Sequence, residues 1–130
     1  MNPKALALQQ RTHAFFMNVI RLCETLPDND VTFSIRPQLL DAAGSTDSNY
    51  RAACRGRSHA EFLAKLGTAA EEADESKGWL EALFDPNLGD RQTTRTLIDE
   101  ADQLVSILVK SEKTAKKRRD AAATAKRQRR

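Results

Sequence analysis

Residues 49–66 read NYRAACRGRSHAEFLAKL, and how this stretch divides decides the fold. Gly56 stands where a helix can end on a left-handed residue. Ser58-His59-Ala60-Glu61 then has the form of a capping box, the Ser58 hydroxyl placed to accept from the Glu61 amide and the Glu61 carboxylate placed to reach back. The stretch predicts a helix, a tight turn and a second helix that starts at once.

Downstream, Phe62, Leu66, Ala69, Ala73, Ser76, Leu80 and Leu83 recur at spacings of four and three, a narrow seam that predicts a helix to about Phe84. DPNLGD, residues 85–90, supplies Pro86, Asn87 and Gly89 for a second turn. From about Thr93, Leu97, Ala101, Leu104 and Leu108 fall on one line with Ile98, Val105 and Val109 beside it. The large apolar residues stop at Val109.

Upstream, residues 4–26 carry a wide helical stripe through Leu8, Thr12, Phe15, Val19, Leu22 and Leu26, closed by Pro27-Asp28-Asn29-Asp30. A second helix is expected from Ser34, with Pro37 in its first turn, where a missing N–H costs nothing. Residues 44–49, GSTDSN, are poor helix formers. They read either as a loop or as a helix whose small residues let a neighbouring backbone come close while polar side chains bond across. No strand pattern competes, so the fold class is all-α: an antiparallel up-down-up-down four-helix bundle over residues 1–110, followed by a basic segment, residues 111–130.

One ordinary domain is the right size for 130 residues. No apolar run is long enough for a membrane span, and the N-terminal residues lack the apolar centre of a signal peptide, so a cytoplasmic location is expected and a membrane partner is not. Cys23 and Cys54 are 31 positions apart with no CxxC, which fits reduced thiols. The net charge of +3 hides an asymmetry: residues 1–109 hold 11 Lys/Arg against 16 Asp/Glu, and residues 110–130 hold 10 against 2. An acidic body carries a basic end.

The order of motifs in residues 49–83 resembles the bacterial four-helix-bundle family named for the 23S ribosomal RNA intervening-sequence protein. The likeness lies in the Asn-Tyr-Arg-Ala start, the Arg-x-Arg-Ser turn, the Glu-Phe-x-x-Lys-Leu helix opening, the Glu-Glu-Ala-Asp-Glu run and the Trp-Leu close. DAAGSTDS, residues 41–48, departs from the usual pattern. The resemblance implies a small antiparallel bundle, relatives that close into five-fold rings, and neither catalytic residues nor a cofactor. A distant relative of the same shape is the accessory protein of diversity-generating retroelements, which looks like a nucleic-acid-binding partner of a reverse transcriptase. The basic end lies beyond the likeness.

Arg51, Arg55 and Arg57 are expected to form structural or interface ion pairs with Glu71, Glu72 and Glu75, within the chain or between subunits. A metal site at Glu71, Glu72, Asp74 and Glu75 is not expected, because a di-iron bundle needs Glu-x-x-His pairs and none is present. His13 and His59 have neither an acid partner in motif spacing nor a nucleophile, so they are read as surface or cap-adjacent residues. Gly-x-Ser-x-Gly and phosphate-binding glycine loops are missing, and no enzyme is expected. Trp79 reads as a packing aromatic.

Lys113, Lys116, Lys117, Arg118, Arg119, Lys126, Arg127, Arg129 and Arg130 make two basic clusters around the helix-forming spacer DAAATA. The segment is expected to be a solvated helical extension or a disordered end. The reading that follows is a non-enzymatic homo-oligomer, a pentamer by resemblance, that binds RNA or DNA nonspecifically through these cations. The alternative is an assembly scaffold whose basic end serves solubility.

Overall fold

The computed structural model describes residues 1–129, which form α1 (Pro3–Thr25), α2 (Asp30–Cys54), α3 (His59–Phe84) and α4 (Arg91–Gln128). No strand occurs among the described residues. Each helix starts where a side chain accepts the first free amides: Asn2 from Lys4, Asn29 from Thr32, Ser58 from Glu61 and Asp90 from Thr93. Two Thr93 bonds hold the Asp90 carboxyl below its usual range.

α1 packs on α2 and α4, and α3 packs on the same two, so the four helices close a square. Cross-helix bonds set the register. Thr12 meets Asp47 and the Cys23 carbonyl meets Arg36 between α1 and α2; Lys77 meets Asp102 and His59 meets the Ala115 carbonyl between α3 and α4. In both pairs one number rises as the other falls, as antiparallel neighbours require. Arg11 bridges to Glu100 at 2.6 Å and joins α1 to α4. Inside lie Phe15, Val19, Leu22, Leu39, Leu66, Leu80, Leu83, Leu104 and Leu108, each closed to solvent. Burial of such a side chain contributes about 1.5–3 kcal/mol.

Three local expectations change, and one open reading closes. α2 starts at Asp30 rather than Ser34, because Asn29 and Thr32 exchange backbone-to-side-chain bonds at 3.0 and 3.1 Å, a capping box with threonine in the glutamate position. Pro37 therefore lies inside the helix. Residues 44–49 are continuous helix, the second of the two readings. A Cβ at Gly44 would come within 3.1 Å of the Phe16 ring, Thr46 bonds back to the Ala42 carbonyl, and Asp47 bonds across to α1. Close approach and cross-helix bonding offset the weak propensity of these residues.

Gly56 is not left-handed. Among the described residues, positive φ is confined to the next turn, at Asn87 (66°) and Gly89 (80°). What Gly56 provides is room, since a Cβ there would lie 3.1 Å from the Ala53 oxygen and 3.2 Å from the Phe62 nitrogen. On α3, Leu63 and Ala70 enter the core, while Phe62 stays half-buried at the end of the bundle.

α4 is the long element. Its 38 residues extend about 57 Å, against about 39 Å for the 26 residues of α3. His59 at the start of α3 stands level with Ala115, so the last residues of α4 run past the bundle with no helix beside them.

Candidate nucleic-acid interface

The basic segment is helical to Gln128, a direct continuation of α4. Lys113, Lys116, Lys117, Arg118, Arg119, Lys126, Arg127 and Arg129 are all exposed; Arg130 lies outside the described residues. At 3.6 residues per turn these positions fall on every side of the helix rather than on one stripe. Lys116 stands 3.6 Å from Glu112 and Arg119 stands 3.2 Å from Asp120. The other six have no carboxylate within 4.0 Å among the described residues.

The segment is not wholly outside the fold. Against the expectation that nothing beyond Val109 is buried, Ala115 is 4% exposed. The reason is His59, whose Nε2–H donates to the Ala115 carbonyl at 2.9 Å and ties α4 to the start of α3. Sequence reasoning gave His59 no role, and a partner 56 positions away leaves no local signal.

The expected ion pairs of Arg51, Arg55 and Arg57 with Glu71, Glu72 and Glu75 do not form within the chain. Register is the cause. Glu72 feels the charge of Asp41, so the acidic run is level with the middle of α2. Arg51 is ten residues further along, about 15 Å. The acids crowd one another instead: partial burial, then Glu75, then Glu71 and Asp41 raise the Glu72 carboxyl above its usual range. Trp79 is half-buried against the core, with its Nε1 3.5 Å from Glu75.

Released from that role, Arg55 and Arg57 sit exposed in the α2–α3 turn, at the end of the bundle from which the α4 extension departs. Lys4 at the start of α1 shares a cleft with Lys110 and Arg118. The molecule therefore has one cationic pole, built from three separate stretches of sequence.

Arg51 has a different partner. Asp47, 6% exposed, accepts from Thr12 at 2.9 Å, lies 3.1 Å from His13 Nδ1 and 3.5 Å from Arg51 Nε. His13 is exposed as expected, yet it has an acid partner that its sequence neighbours do not reveal. Asp47→Ala is expected to lower the unfolding free energy by about 1–2 kcal/mol in a urea melt. The cost stays modest because Thr12 keeps the Gln9 carbonyl as acceptor, at 3.0 Å. A variant as stable as the parent would show this cluster to be idle.

Beside Ala115, a cavity of about 380 Å³ opens between His59 and Phe62 on α3 and Arg118, Arg119 and Ala122 on α4. No three His, Cys, Asp or Glu side chains converge as a metal site would need, among the described residues. No helix among them is long and apolar enough to cross a membrane. Both thiols are free; Cys23 is buried and is pushed up from its ordinary pKa by that burial.

The model of the 23S rRNA-intervening sequence protein family matches residues 4–110. The chain belongs to this family. A crystal structure from Bacteroides thetaiotaomicron VPI-5482, described as a protein of unknown function from the S23 ribosomal protein family, superposes with a TM-score of 0.77 at 24% identity. The match covers 85% of this chain and 98% of that one, and at this identity it shows the shared fold alone. No curated protein matches the chain. The family match ends at residue 110, so the cations from Lys113 onward are additional to the part that defines a 23S rRNA-intervening sequence protein.

Proposed function

We propose that this protein is a non-enzymatic homo-oligomer that binds RNA or DNA with little sequence preference, holding phosphates with the basic extension of α4. The observation that carries the reading is the extension itself: a continuous helix with eight exposed cations, six of them without a carboxylate partner among the described residues, projecting from a cationic pole. Unpaired cations keep their charge available for phosphates and release condensed counterions from nucleic acid on binding. The family's name refers to an intervening sequence of 23S rRNA, a nucleic-acid context in keeping with this reading. Exposed Val31 and Phe33, 52% and 57% accessible, offer apolar surface to a second copy.

Substitution tests this better than truncation. Ending the chain after Val109 would also remove Ala115 and with it the His59 bond. Glutamine is a good helix former without charge. Replacing Lys113, Lys116, Lys117, Arg118, Arg119, Lys126, Arg127 and Arg129 by glutamine is expected to weaken binding by at least about a hundredfold at 50 mM salt. Gel mobility shift with a short RNA and a short DNA duplex reads this directly. An intact chain that ignores both at low salt would overturn the proposal and leave the scaffold reading.

A further inference from the structure

We infer that the cleft beside Ala115 takes a single unpaired nucleobase, so that the protein prefers single-stranded to duplex nucleic acid; this rests on the nucleic-acid reading above and deepens it. The cleft has the three things a nucleotide needs. It has an apolar lining: Ala115 and Ala122, seven residues apart, fall on one face of α4, and Phe62 stands opposite on α3. His59 is oriented by its bond to the Ala115 carbonyl, and its ring centre lies 6.2 Å from that of Phe62 with the planes tilted by 42°. The two rings form an open wedge rather than a closed stack, which leaves aromatic surface for a third ring. Its charge comes from Arg118 and Arg119, one turn on from Ala115, whose guanidinium groups can meet the phosphate of the same nucleotide or lie over the base.

Size and continuity agree. A cavity of about 380 Å³ is near the small end of the range for small-molecule sites, roughly 300–1,000 Å³. Phe62, Ala115 and Arg118 also border a second cleft that leads to Lys4 and Lys110, so cations continue on the far side of the aromatic ring. A strand crossing the pole would meet positive charge, one stacking platform, and positive charge again, the pattern of single-strand binding surfaces. A base locked in a duplex reaches the platform only after unstacking, which costs a few kcal/mol. An aromatic peptide side chain would fill the wedge but leave both arginines unused.

The test compares the intact chain with Phe62→Leu and Phe62→Tyr, by fluorescence anisotropy on a labelled 12-nucleotide oligo(dT), the matching oligo(U) and a 12-base-pair duplex. Leucine keeps apolar bulk and removes the π-face, whereas tyrosine keeps both. The parent is expected to prefer the single strands. Phe62→Leu is expected to lose about fivefold or more on both of them and nothing on the duplex, and Phe62→Tyr is expected to bind as the parent does. Equal binding of single strand and duplex by the parent overturns the cleft assignment while the phosphate reading stands. So does a Phe62→Leu variant that binds single strands as before, or a Phe62→Tyr variant as weak as Phe62→Leu. A parent that binds none of the three overturns both readings. Circular dichroism of each variant separates loss of the site from loss of the fold.

Discussion

Raising the salt from 50 to 200 mM is expected to weaken the hold of the intact chain on duplex DNA by roughly 10²- to 10⁴-fold. The range follows from geometry. Each neutralised phosphate contributes a slope of about −0.9 in log affinity against log salt. The cations from Lys113 to Arg129 lie on all sides of α4. If only those on one side reach a duplex, about four or five phosphates are met and the slope is near −4. If the long side chains wrap round and all eight engage, the slope is near −7. Binding isotherms at four salt concentrations give the slope. A value shallower than about −2 would mean that the extension is not the contact.

Phe15→Ala is expected to lower the unfolding free energy by about 3–5 kcal/mol. Phe15 lies on the inner face of α1, 1% exposed, within the shared core. Its removal leaves a cavity that rigid neighbouring helices fill only in part, so lost transfer energy and a cavity cost add together. A domain of this size has about 5–15 kcal/mol in all. The urea midpoint should fall with little change in m-value. Leu6→Ala is the control, costing about 1 kcal/mol or less, because that side chain is 45% exposed on the outside of the bundle. A Phe15→Ala loss below about 1 kcal/mol would show that the core is not packed where the structure places it.

The parts of this fold that could be read from sequence are those whose cause is local. Apolar spacing located all four helices, and Ser58 marked the start of α3 because a hydroxyl three residues before a free amide acts within a few ångströms. Asn29 and Thr32 do the same work in a less familiar pairing, which is why Ser34 looks like the start of α2 and the helix begins four residues earlier. Gly56 suggests a left-handed backbone angle, but its constraint is the approach of the Phe62 nitrogen, a clash that exists only once α3 has turned back.

Register was the larger loss. Arg51 and Glu72 are opposite in charge and on adjacent helices, but only the antiparallel alignment shows them to be about ten residues out of step. The cations of the candidate interface were legible, since charge is a property of composition. The cleft beside them was not, because His59, Phe62 and Arg118 come together only when α3 and α4 pack.

Arg36 has the widest reach of the helix-end contacts. α1 has no basic residue in its last turn, and Arg36 of α2 donates to the Cys23 and Leu26 carbonyls at 3.1 and 2.7 Å while Thr32 donates to the Pro27 carbonyl at 2.6 Å. The terminator of the first helix is thus carried by the second. Cut apart, α1 would have loose carbonyls at that end; joined, the pair is the smallest cooperative unit in which both helices are finished.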